Sequence, residues 1–130
     1  MAISSLYTSI LAFVFVFLSV YTLRLRRRLR IGIGDGGNIE MLRAMRVHSN
    51  FAEYVPLALI ALFMVETSGA SYLLVHFLGG ALLVGRISHA YGVSKIKENF
   101  FFRVTGMALT FTSILSSAIY LLTTSIFQMR

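Results

Sequence analysis

The residues best suited to chemistry lie together on one face of a single helix-forming stretch. Four polar side chains follow each other at spacings of three, four and three positions: Arg43, Arg46, Asn50 and Glu53. On an α-helix this spacing places them on one side. Arginine binds carboxylates through paired donors, glutamate binds ammonium groups, and an asparagine amide both donates and accepts. The pattern therefore predicts a site for a small polar ligand that carries carboxylates and an ammonium group.

The same stretch continues into a strongly apolar segment. No charged or amide side chain occurs from Val55 to Val65, and the whole chain of 130 residues is 57% hydrophobic with a mean hydropathy of +0.79. This composition is too apolar for a soluble domain of that length and indicates an integral membrane protein. Ionisable residues beside a membrane span are costly and usually functional.

Four apolar segments account for the chain, at about residues 3–23, 39–66, 72–91 and 103–127. Each is long enough to cross the hydrocarbon layer. We therefore predict an all-α integral membrane protein, a four-transmembrane-helix bundle forming one domain over residues 1–130. The first segment is interpreted as a retained span rather than a signal peptide, because its cations follow the apolar run instead of preceding it. Small residues at helical spacing in the fourth segment predict close helix packing there: Gly106, Thr110, Ser113 and Ser117.

The positive charges fix the expected orientation in the membrane. The net charge is +7, and of twelve Lys and Arg residues all but Arg130 lie in or beside the connections between segments 1 and 2 and between segments 3 and 4. The positive-inside rule places both connections in the cytoplasm and both termini outside. We interpret most arginines of the run from Arg24 to Arg30 as topology determinants that contact anionic lipid. The cations are not interleaved with exposed aromatics, so no nucleic-acid partner is expected.

Two other features of the sequence limit the chemistry. Cysteine is absent, so any thiol that reacts here must arrive on a ligand, and no metal site is predicted. Gly32, Gly34 and Gly37 formally match a dinucleotide-binding motif, but neither a preceding strand nor a βαβ unit accompanies them. We interpret this piece as a loop, with Asn38 as the N-cap of the second helix.

The motif on the second segment resembles a known family. Arg46-x-x-x-Asn50-x-x-Glu53-Tyr54-x-Pro56, preceded by Arg43-Ala44, is similar to the second-helix signature of the MAPEG family, the membrane-associated proteins of eicosanoid and glutathione metabolism. Asp35-Gly36-Gly37-Asn38 and Gly85-Arg86-x-x-His89-Ala90-Tyr91-Gly92 resemble its bacterial branch. The resemblance spans essentially the whole chain. Phe51 stands where leukotriene-type members carry a cysteine, which argues against an eicosanoid substrate.

The resemblance implies a homotrimer in the bacterial inner membrane that binds glutathione, as co-substrate, in a cytoplasm-facing cleft between subunits. Residues that match the family's glutathione contacts are Arg24, Arg46, Asn50, Glu53 and Tyr54. Arg103 resembles the arginine that faces the glutathione sulfur, and we assign it the catalytic role. A cysteine thiol has a pKa of about 8.5, so a neighbouring guanidinium would favour the reactive thiolate. Tyr91 or Thr110 would donate a hydrogen bond to the thiolate. His89 is a further candidate for contact with the ligand.

The function implied is glutathione transfer to, or peroxidase action on, a hydrophobic electrophile or lipid that enters from the bilayer. A non-catalytic lipid-binding protein is one alternative. A small multidrug transporter is another, although the first segment lacks the carboxylate that such proteins use. Individual residues also have structural alternatives. Arg43 and Arg86 would extend to the membrane interface, and Tyr54 and Tyr91 would join an aromatic belt. Asn50 would form a hydrogen bond between helices, and Glu53 would form a structural ion pair with Arg46 or with a neighbour's arginine.

Overall fold

The chain forms a bundle of four long helices in a computed structural model, which describes residues 2–128. The helices are α1 (Ile3–Leu29), α2 (Ile39–Thr67), α3 (Tyr72–Ser94) and α4 (Phe100–Gln128), and these residues contain no strand. All four are long and apolar enough to cross a membrane. α2 and α3 each pack against all three other helices, and α3 packs most extensively against α4, while α1 and α4 do not contact each other. The predicted four-helix membrane architecture is confirmed.

The helix ends at the charged connections extend further than the apolar segments predicted. α1 continues through the arginine run to Leu29 and ends at Arg30, which has a left-handed backbone with a φ of 55°. Arginine is a good helix former, so the charged residues extend the helix after the apolar run has ended. α4 begins at Phe100, three residues before the predicted start, and the side chain of Asn99 accepts a bond from the Phe102 N–H. The predicted N-cap of α2 is confirmed, because the Asn38 side chain accepts from the Met41 N–H at 3.0 Å.

α3 and α4 approach each other through glycines. A Cβ atom added at Gly106 would lie 2.5 Å from the backbone nitrogen of His89, and one at Gly85 would lie 2.9 Å from the carbonyl oxygen of Gly106. Thr110, Ser113 and Ser117 continue the same buried face of α4, as the small-residue pattern predicted. The Ser113 hydroxyl donates to the carbonyl of Leu78 at 2.9 Å. This contact fixes the rotation of α3 against α4, and therefore which side chains of α3 turn toward α2.

Polar side chains hold the opposite end and the α1 side of the bundle. Glu66, at the end of α2, accepts from the backbone N–H groups of Ile3 and Ser4 and so caps the start of α1. His48 pairs with the Ser19 hydroxyl at 2.9 Å between α2 and α1. Tyr7 donates to the carbonyl of His76. These contacts hold α1 against α2 and α3.

Candidate functional site

A polar cleft opens between α2, α3 and α4 at the end of the bundle that carries both charged connections. Its volume is about 410 Å³. Charged and polar side chains from all three helices and from the α3–α4 connection line it, together with the apolar residues Ile39, Leu42 and Val93. The polar set is Arg43, Arg46, Ser49, Asn50, Glu53, His89, Glu98 and Arg103.

Most of the residues singled out in the sequence meet in this cleft. α2 contributes Arg46, Asn50 and Glu53, α3 contributes His89, and α4 contributes Arg103. A position on one helical face is what the spacing of the α2 residues predicted. The arrival of His89 and Arg103 from two other helices depends on the close α3–α4 contact, since Gly92 lies against the backbone of Arg103 and Gly106 against that of His89.

Three of the predicted contact residues lie outside this cleft. Arg24 lies on α1 in a separate recess with Tyr21, Leu25 and Arg28. Tyr54 turns toward α4, where its ring meets Phe111 edge to face at 5.6 Å.

Tyr91 is the third of them, and it is engaged elsewhere. Lys95 donates to its hydroxyl at 2.5 Å, and its ring lies edge to face against Phe102. Within one chain, therefore, Arg24, Tyr54 and Tyr91 do not join the cleft. The hydroxyl of Thr110 is likewise committed, because it donates to the Gly106 carbonyl.

Arg46 and Glu53 present charged groups at the open side of the cleft. Both side chains are exposed, and within residues 2–128 neither has a side-chain hydrogen bond or an ion pair. The pairing of Glu53 with Arg46 that the sequence left as an alternative does not form. Because the two residues are seven positions apart, they lie about two helical turns, or roughly 10 Å, from each other. They are therefore free to bind opposite charges at two ends of one ligand.

Asn50 is held in place by a buried arginine from α3. Nη1 of Arg86 donates to Asn50 Oδ1 at 2.7 Å, and Nη2 contacts the sulfur of Met107 at 3.3 Å. The guanidinium carbon also lies 5.6 Å from the ring centroid of Tyr54. Only 1% of Arg86 is exposed, so its expected extension to the membrane interface is wrong. Because the oxygen of Asn50 is occupied by this bond, its amide nitrogen is the group left to serve the cleft.

Glu98 links two cations of the cleft and was not foreseen as a site residue. Its Oε1 atom accepts from Nη1 of Arg103 at 2.9 Å and from Nη1 of Arg43 at 3.3 Å. The same Arg43 nitrogen also donates to the carbonyl of Val93 at 3.1 Å. Arg43 is thus tied inside the cleft rather than extended toward the interface. The sequence offered no local signal for this cluster, because the chain reversal after α3 is what brings Glu98 back over α2.

The chemistry that this cleft supports is recognition of an anionic ligand with one positive group. Three guanidinium groups, from Arg43, Arg46 and Arg103, face two carboxylates, so the cationic side chains outnumber the acidic ones by one. Guanidinium groups bind carboxylates in charge-assisted hydrogen bonds, and Glu53 is available for an ammonium. In the described part of the chain, no group of three or more His, Cys, Asp or Glu residues is arranged to hold a metal ion.

Four helices long and apolar enough to cross a membrane, three of which line a polar cleft at one end, define a small integral membrane protein with a candidate ligand site. A profile of the MAPEG family matches residues 4–123, and the chain belongs to that family. It is 38% identical over 81 residues to the inner membrane protein YecN of Escherichia coli K12, and equally to YecN of Escherichia coli O6:H1. That match covers 62% of this chain and 60% of the length of YecN. No solved structure matches.

Proposed function

We propose that the protein is a membrane-bound, glutathione-dependent transferase or peroxidase that acts on hydrophobic electrophiles. The observation that carries the proposal is the convergence of Arg46, Asn50, Glu53 and Arg103 in one cleft. Glutathione has two carboxylates, one ammonium group and a thiol. The cleft offers guanidinium groups for the carboxylates, Glu53 for the ammonium, and a donor on Asn50. Family membership supports the proposal, since MAPEG proteins include glutathione transferases and peroxidases.

The reactive step would depend on Arg103. In solution only a few per cent of a thiol with a pKa of about 8.5 is ionised near neutral pH. A guanidinium beside the sulfur favours the thiolate, and the proton passes to water. In transfer, the sulfur forms a bond to the electrophilic carbon, and the leaving group departs with its electron pair. In peroxidase action, the sulfur attacks the terminal oxygen of a hydroperoxide and the O–O bond breaks. The departing alkoxide takes a proton from water, which gives an alcohol and a glutathione sulfenic acid. A second glutathione then condenses with the sulfenic acid to a disulfide and water.

The electrophile would reach the cleft from the hydrocarbon layer. Glu53 and Arg46 lie on an exposed side of α2, where a single chain would place their charges against lipid. A neighbouring copy that covers this side would remove that cost, in line with the homotrimer that the family implies. Arg24 of the neighbouring subunit is the residue that we expect to complete the site.

We further propose an inner-membrane location, with both charged connections in the cytoplasm and both termini outside.

A non-catalytic binding role is the second candidate, and one contact favours it. Nη1 of Arg103 is committed to Glu98, which leaves less of its charge for a thiolate. In a protein that only binds its ligand, this pairing would persist and no thiolate would accumulate. The two roles therefore differ in the ionisation state of the bound thiol.

Binding of glutathione tests the ligand assignment through Glu53. We expect Glu53→Gln to weaken the binding of glutathione about tenfold, because the charge-assisted hydrogen bond to the ammonium group is lost. N-acetylated glutathione lacks the ammonium, so it should bind the wild type and the variant alike. The measurement is isothermal titration calorimetry on detergent-purified protein, with Glu40→Gln as the control for loss of one acidic group outside the cleft. Equal weakening of both ligands would contradict the pairing of Glu53 with the ammonium.

A further inference from the structure

Glu98 is placed where it can control the cation that the proposed chemistry depends on. Its side chain is 16% exposed, and a single oxygen accepts from guanidinium groups of two different helices, Arg43 on α2 and Arg103 on α4. Arg103 is by contrast 46% exposed. Apart from its bond to Glu98, the described structure gives its side chain no hydrogen-bond partner.

The connection that carries Glu98 is itself anchored at both ends. The backbone N–H of Asn99 donates to the carbonyl of Gly92 at 3.1 Å, and the N–H of Arg103 donates to the carbonyl of Asn99 at 3.1 Å. Gly92 permits this approach, because a Cβ there would lie 2.6 Å from the nitrogen of Arg103. These bonds fix the backbone next to Glu98, and the guanidinium groups of Arg43 and Arg103 hold its carboxylate between them.

We propose that Glu98 is a positioning residue for Arg103, which holds its guanidinium over the cleft and offsets part of its positive charge. The inference rests on the function proposed above. Glu98 acts through Arg103 and need not touch the ligand. The other charged or titratable side chains that face the same space are Arg43, Arg46 and Glu53 on α2 and His89 on α3.

The two effects of Glu98 on a bound thiolate have opposite signs. By orienting Arg103, the carboxylate brings a cation to the sulfur, which favours the thiolate. By its own negative charge, it disfavours a second negative charge nearby. A glutamine at this position separates the effects, because its carbonyl oxygen still accepts a hydrogen bond from Arg103 but carries no charge. An alanine removes both the hydrogen-bond acceptor for Arg103 and the negative charge.

The experiment is a pH titration of the ultraviolet thiolate absorbance of glutathione bound to the detergent-purified protein. It compares the wild type with Glu98→Gln and Glu98→Ala. Glu40→Gln is the matched control, because Glu40 pairs with Arg28 outside the cleft and its loss changes the net charge equally. We expect Glu98→Gln to lower the apparent pKa of the bound thiol by about one unit, the shift typical of one neighbouring charge. Glu98→Ala should raise it above the wild-type value, and the control should leave it unchanged.

The outcomes separate this inference from the proposed function. A wild type that binds no glutathione would overturn both. A wild type that binds glutathione with a lowered thiol pKa, combined with the same pKa in Glu98→Gln, would overturn the role of Glu98 alone. If Glu98→Ala lowered the pKa as Glu98→Gln does, charge would be the whole effect and the positioning role would be wrong. Should the alanine variant fail to fold, the glutamine variant still decides the charge effect by itself.

Discussion

Arg86 carries a positive charge into the interior of the bundle, where a charge is costly unless specific groups receive it. Asn50 Oδ1 and the sulfur of Met107 receive its hydrogen bonds, and the ring of Tyr54 lies beside it. Removal of the Arg86 guanidinium would leave Asn50 without the hydrogen bond that sets its orientation. The contribution of Arg86 to a ligand site is therefore indirect and operates through Asn50.

We predict that Arg86→Met weakens glutathione binding about fivefold, which is roughly 1 kcal/mol, since one hydrogen bond to the ligand is no longer preset. Calorimetric binding and thermal unfolding in detergent measure the effect, with Met107→Leu as a control that changes the neighbouring side chain alone. Arg86→Lys keeps the charge but not the fork of donors. Wild-type affinity in the lysine variant would show that only the charge matters, and wild-type affinity in a folded Arg86→Met would contradict the account.

The helices position these residues through contacts that only glycine allows. At Gly106 a side chain would meet backbone atoms of α3 on two residues, His89 and Gly85. Backbone cannot move aside as the end of a flexible side chain can. In a membrane, where helices associate mainly through packing and hydrogen bonds, such close approach supplies much of the stability.

We predict that Gly106→Ala destabilises the protein by about 1–3 kcal/mol, the usual cost of overpacking, and also weakens glutathione binding because α3 and α4 move apart. Gly80→Ala is the matched control, since the added carbon would meet only the Tyr7 hydroxyl, at 3.8 Å. Unfolding in detergent with a graded denaturant measures both variants. Equal losses of unfolding free energy in the two variants would contradict the role of Gly106 in the α3–α4 contact.

Hydropathy and helical period were sufficient to predict the four helices and the shared face of Arg46, Asn50 and Glu53. Tyr54 was assigned to the site from the family motif instead, whereas the helical period already turns its side chain about 100° away from that of Glu53. That rotation directs Tyr54 to Phe111 on α4. The buried position of Arg86 follows from the rotation of α3, which the glycine contact sets. Glu98 reaches Arg43 only through the chain reversal after α3. The positions of Arg86 and Glu98 therefore depend on tertiary contacts, which no local sequence pattern contains.

At the scale of the whole molecule, the open side of the cleft is the feature that a single chain leaves unexplained. Arg46 and Glu53 are exposed there, while Arg24 lies in a separate recess on α1. In the proposed trimer, Arg24 of one subunit would reach the cleft of the next. One site would then combine residues of two chains.

Mixing of two inactive variants tests this sharing. We predict that Arg24→Ala and Arg103→Ala each abolish most of the thiolate signal, and that co-expression restores about a quarter of it. In a ring of randomly mixed subunits, about one interface in four combines an intact Arg24 with an intact Arg103. Co-expressed wild type and Arg103→Ala provide the control for mixing. No recovery above the separate variants would contradict a site shared between subunits.

The measurement that tests the central claim most directly is the ultraviolet absorbance of thiolate when glutathione is titrated into the purified protein near neutral pH. We predict a saturable thiolate signal in the wild type that is lost in Arg103→Ala, while binding of glutathione is retained in that variant. Arg30→Ala, which removes one exposed cation outside the cleft, should behave as the wild type. Saturable binding without thiolate in the wild type, or an unchanged thiolate signal in Arg103→Ala, would contradict the role of Arg103 and favour a protein that binds its ligand without reacting with it.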